Sequence, residues 1–196
     1  MKKSLIVTAI VVFILAMFGG CGIGAYNSMV DQEEGVNKAW SNVENQYQRR
    51  SDLIPNLVNT VKGYAAHEKT TLEEVVAARS KATQITVDPA NLTPEALAKY
   101  QKAQGAVGSA LSRLLALTEN YPDLKANQNF LELQAQLEGT ENRISVERNR
   151  FNEASKSYNA YIRKFPRNIV ASLFGFSKRP YFEAEEGTEK APDVQF

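Results

Sequence analysis

The chain has 196 residues, enough for one domain with appendages, and its 43% apolar content suits a globular core. Net charge is +1, so no bulk charge marks a nucleic-acid binder. One Cys and one His exclude an intrachain disulfide framework and a Cys/His zinc site, and leave little for nucleophilic catalysis; neither metal nor cofactor is expected.

Lys2 and Lys3 precede a run from Ser4 to Ala25 that carries no charge. Those 22 residues can cross a hydrocarbon core, which needs roughly 20. The expectation is an uncleaved transmembrane anchor over residues 1–25, with Tyr26 in the interfacial belt. A cleaved signal peptide is the first alternative, but no small-residue cleavage pattern follows a short apolar core. Lipid attachment at Cys21 is the second: Gly20 precedes it, although Phe18 stands three places ahead, where Leu is usual. Gly20 and Gly24 also fit a weak helix-packing pattern. The leading lysines, against Asp31, Glu33 and Glu34 beyond the span, place the N-terminus in the cytoplasm and the rest of the chain outside the cytoplasmic membrane.

The first bundle helix is predicted over 26–50, with Met29, Val36 and Val43 in a seven-residue repeat widened by Ala39, Trp40 and Tyr47. Trp40 reads as a core anchor. Arg49 and Arg50 sit where they suit a helix C-terminus. Ser51 and Asp52 can cap a second helix with Pro55 in its first turn, fading near Gln84. Pro89 and β-branched neighbours mark a linker. Thr93-Pro94-Glu95 is a strong start for a third helix, and Asn120-Tyr121-Pro122-Asp123 ends it.

The fourth helix, Asn127 to Phe165, carries Phe130, Leu137, Ile144, Phe151, Tyr158 and Phe165 at every seventh position, a coiled-coil-like seam. Four helices joined by short turns predict an all-α, antiparallel up-and-down four-helix bundle over 26–165 behind the transmembrane helix. A descending fourth helix returns the chain to the membrane. There, residues 166–182 form a basic apolar segment. Arg163, Lys164, Arg167, Lys178 and Arg179 interleave with Ile169, Leu173, Phe174 and Phe176 without an acid between 163 and 179. That mixture suits an anionic bilayer surface; the alternative is that Ile169, Val170, Leu173 and Phe174 fold back to seal the bundle end. Residues 183–196 read as a mobile acidic tail.

Two blocks are more specific than this architecture. Arg49-Arg50-Ser51-Asp52-Leu53-Ile54-Pro55-Asn56-Leu57-Val58, continued by Val61 to Glu68, resembles the LemA family. So does Glu119 to Asn127, together with Leu137 to Arg143, Tyr158-Asn159 and Phe165-Pro166. The likeness runs over about residues 20–182. It implies a bacterial single-span membrane protein carrying an antiparallel helical bundle, with no established enzymatic activity, cofactor or substrate. Family members are often encoded near membrane metalloproteases or other membrane proteins, which makes a protein partner in the envelope the natural expectation.

The residues themselves allow two non-enzymatic readings. An adaptor or scaffold would use the turn expected at Arg49, Arg50, Asp52, Pro55 and Asn56 as its docking tip. That block also has a purely structural reading, as reciprocal capping of two helix ends. A membrane-organising protein would grip lipid with Arg163–Arg179 and self-associate as a homo-oligomer. His67-Glu68 is a poor ligand or acid–base pair, because no second His completes it.

Overall fold

The computed structural model describes the backbone of residues 2–183 and the side-chain surroundings of residues 8, 20 and 22–183. Among these there are helices and no strands: α1 (Lys2–Tyr64), α2 (Lys69–Thr83), α3 (Pro94–Thr118), α4 (Pro122–Lys125), α5 (Gln128–Arg163) and α6 (Arg167–Phe174), with a 3₁₀ turn at Pro89–Asn91. Most side chains of the uncharged run 4–25, including that of Cys21, lie outside the described residues, as does the tail beyond residue 183. Among the described residues no helix is long and apolar enough to cross a membrane.

Helix α1 is the spine. Asn127 beside Tyr64, and Tyr158 beside Glu33, show α5 running antiparallel to it. Helix α2 descends, with Arg79 reaching Ser51, and α3 climbs again, from Tyr100 beside Trp40 to Arg113 beside Glu74. The result is an antiparallel bundle whose first member is far longer than the rest.

The helix ends obey local chemistry. Thr93 Oγ1 accepts from the Ala96 N–H at 3.1 Å, with Pro94 in the first turn. Asn127 Oδ1 accepts from the Phe130 N–H at 3.0 Å. Helix α6 stops at Gly175, whose φ of 78° favours glycine.

The turn expected at 49–56 is not there. Helix α1 runs through Pro55, and the chain reverses at 65–68 instead. The physical reason lies in the core register. Trp40, Tyr47, Ile54 and Val61 are buried at seven-residue spacing, as are Met29, Val36, Val43, Arg50 and Leu57. Breaking the helix at Ser51 would strip both rows from the core. Pro55 cannot donate to the carbonyl of Ser51, four residues back; Arg79 Nε on α2 donates to it instead, at 2.8 Å.

The α5 seam is buried at Phe130, Leu137, Ile144, Phe151 and Tyr158. Phe165 lies beyond the helix and is 82% exposed, so the buried repeat ends at Tyr158. The core has two parts. One gathers around Trp40, Phe151 and Tyr158; the other around Ile54, Leu114 and Phe130, with Leu124 of α4 fully buried against it.

The segment 166–182 does not behave as one unit. Helix α6 stays at the end of the bundle, whereas residues after Phe176 run back along α5 as an extended strap. Asn159 Oδ1 accepts from the Arg179 N–H and its Nδ2 donates to the Arg179 carbonyl, both at 2.8 Å. One heptad earlier, Asn152 grips both main-chain groups of Phe182 in the same way, at 2.8 and 3.0 Å. Phe182 stacks on Trp40, with centroids 5.9 Å apart and planes 12° apart.

Candidate functional site

Two regions concentrate polar chemistry or unsatisfied surface. The first lies in mid-bundle. Arg50 occupies a core position of α1 and is 3% exposed. Its Nη1 donates to Glu141 Oε1 at 2.7 Å, and its Nη2 to the carbonyl and Oε1 of Gln104, at 2.9 and 2.8 Å. The guanidinium carbon sits 5.0 Å from the Tyr47 ring centroid. A buried arginine needs such a complete set of partners. Cavities of about 320 Å³ and about 610 Å³ flank this knot, the first beside Arg79 and Tyr100, the second between Gly105–Ser112 of α3 and Glu138–Glu141 of α5. Burial pushes the Glu44 carboxyl above its ordinary value, opposed by the Trp40 indole. The Tyr100 hydroxyl is also pushed well up, by burial and then by the Glu44 charge.

The expected docking set is therefore divided. Arg50 is buried and committed to Glu141 and Gln104; Arg49, Asp52, Pro55 and Asn56 are exposed along the side of a helix, not gathered at a tip. The tip far from the N-terminal run is made by the 65–68 reversal and α4. There Tyr121 Oη donates to Glu68 Oε1 at 2.9 Å, which together with burial raises the Tyr121 pKa. His67 is exposed on the same reversal.

The second region is the opposite end. The α6 residues Val170 and Ala171 close the bundle, but Ile169, Leu173 and Phe174 remain 58%, 77% and 59% exposed. Folding back thus covers only part of the apolar segment. Tyr26 of α1 meets Phe174 and Phe176 edge-on, at 4.9 and 5.5 Å. Phe176 packs on the core and is not part of the open surface. Arg163 and Lys164 are exposed, and Arg167 lies 4.0 Å over the ring of Tyr161. Arg179 leaves this cluster altogether. It is 6% exposed, donates to Glu33 at 2.7 Å, and also donates to the carbonyls of Pro89 and Ala90. Next to Glu33, burial and that carboxylate push the Tyr158 hydroxyl up to about 12.

Sequence reasoning missed Tyr161, Asn152, Asn159 and Arg79 as positioning residues. The asparagine pair carried a signal, since it sits one heptad apart beside the buried seam. Arg79 carried none without its partner 28 residues away. Among the described residues no cluster of three His, Cys, Asp or Glu could hold a metal ion.

The model of the LemA family matches residues 39–196. Magnetosome protein MamQ 2 of Paramagnetospirillum magneticum is 29% identical over 175 residues, covering 81% of this chain and 64% of that protein. MamQ of Magnetospirillum gryphiswaldense is likewise 29% identical, over 80% of this chain and 64% of its own. Protein LemA of Metamycoplasma hominis is 26% identical over 84% of this chain and 71% of its own. The chain thus spans just under two thirds of the length of the magnetosome relatives.

Proposed function

Starting from the fact that the chain belongs to the LemA family, we propose that it is a membrane-anchored, non-enzymatic scaffold that holds a protein partner at a fixed height above the bilayer. The observation that carries this reading is the continuity of α1 from Lys2 to Tyr64. The uncharged run 4–25 serves as the anchor, and the bundle is an extension of the same helix. From Tyr26 to Tyr64, 39 helical residues reach about 58 Å, so anchor and tip cannot move independently without bending the spine. The relatives named as magnetosome proteins support an envelope or compartment-associated role. The lysines at 2 and 3 favour a cytoplasmic N-terminus and an external bundle.

Photo-crosslinking in living cells tests this, with probes at His67 and Asn120 on the tip. One recurrent protein crosslinked at both positions is expected, and its compartment fixes the orientation. Crosslinks to lipid and to this chain alone would overturn the scaffold reading. They would favour the second one, a membrane-organising protein, which the exposed apolar and basic surface of α6 supports.

A further inference from the structure

A groove of about 660 Å³ opens between the base of α1 and the start of α6. Its floor is Gly22, Gly24 and Ala25; its opposite wall is Phe165 and Ile169; its rim carries Lys164 and Arg167. We propose that this groove binds one anionic phospholipid, its acyl chain along the glycine floor and its phosphate between Lys164 and Arg167.

Several independent features converge on a lipid. The floor belongs to the last residues of the uncharged run 4–25, so the groove lies where an inserted anchor would leave the hydrocarbon. The wall is apolar yet open: Phe165 is 82% exposed and Ile169 58%, surfaces that water solvates poorly. No acid lines the groove, and among the described residues neither Lys164 nor Arg167 forms an ion pair. Arg167 is held over Tyr161 at 4.0 Å, which orients the guanidinium while leaving its donors free for a phosphate. A Cβ at Gly22 or Gly24 would meet nothing within 4 Å, so the floor is empty space and not a close helix contact.

This inference rests on the anchor reading, and the experiment separates the two. The full chain, purified in detergent, is titrated with phosphatidylglycerol or with phosphatidylcholine of the same acyl chains, and adducts are counted by native mass spectrometry. Phosphatidylglycerol should bind preferentially. Lys164→Gln with Arg167→Gln should weaken it about 25-fold, two basic contacts at an anionic surface. Lys62→Gln with Lys102→Gln, remote exposed lysines, should leave it unchanged. Gly24→Leu, whose Cβ would meet nothing within 4 Å and whose side chain would occupy the floor, should weaken binding of both lipids. Equal binding of the two lipids, or the same loss in the remote pair, would overturn the proposal. So would dimers forming in place of adducts, since a second copy would then occupy the groove. Alkaline carbonate extraction of membranes judges the anchor separately. Release of the unaltered chain sinks the anchor, whereas retention without lipid preference sinks only the groove.

Discussion

Arg50 is the residue on which the bundle's interior turns. A cation at a core position is tolerated because Glu141, Gln104 and Tyr47 surround it. Arg50→Ala should cost about 2–4 kcal/mol in urea unfolding, by losing charged hydrogen bonds and leaving Gln104 Oε1 without its arginine donor. Arg49→Ala, one residue away on the exposed side, should stay within about 0.5 kcal/mol. Comparable losses in the two variants would refute the buried assignment. Glu44 makes a second test at this scale. Its folded pKa lies above the ordinary 4.5, so the folded state holds its proton more tightly than the unfolded chain. Stability from this group is therefore greatest at or below about pH 4.5 and is lost as pH rises through the raised value. Glu44→Gln should raise the melting temperature at neutral pH and lose that advantage in acid; no difference at neutral pH would count against the burial argument.

At the scale of elements, Pro55 and Arg79 act as one device. The proline frees the Ser51 carbonyl and the arginine of α2 takes it, pinning the second helix to the first. Arg79→Ala should cost about 1–3 kcal/mol, because a buried acceptor is left empty. In a Pro55→Ala background much of that cost should vanish, since the substituted alanine supplies the missing N–H. A double-mutant cycle with no coupling would exclude the device. The same pair explains what the sequence hid. A proline in the first turn of a new helix and a proline inside an old one look alike locally. The unbroken row Trp40, Tyr47, Ile54, Val61 was the legible clue, and it outranks the local capping signals at Ser51 and Asp52. The cap at Thr93 was legible because short-range chemistry decides it. The strap was not: residues 177–183 have no helical period, and their order comes from Asn152 and Asn159 on a distant helix. Asn159→Leu should leave both main-chain groups of Arg179 unpaired and speed amide exchange along the strap, with α3 unaffected.

Over the whole molecule, the seven-residue seam of α5 and the family resemblance made the all-α class and a helical bundle readable in advance. The basic cluster was readable only in part, because charge along a sequence does not say which cations turn inward. Arg163, Lys164 and Arg167 remain at the surface near the base of the bundle, while Arg179 joins the core edge. Truncation after Phe176 should therefore remove Phe182 from Trp40, shift its emission to longer wavelength and destabilise the bundle by about 3–5 kcal/mol. Unchanged emission would mean that the strap does not cover Trp40 in solution. The single spine has a mechanical corollary. A rod of about 58 Å fixed at its base is a lever: tilting the base by about 10° sweeps the tip through about 10 Å. On the scaffold reading proposed above, bilayer thickness or curvature would set that tilt and convert it into lateral displacement of a partner at the tip.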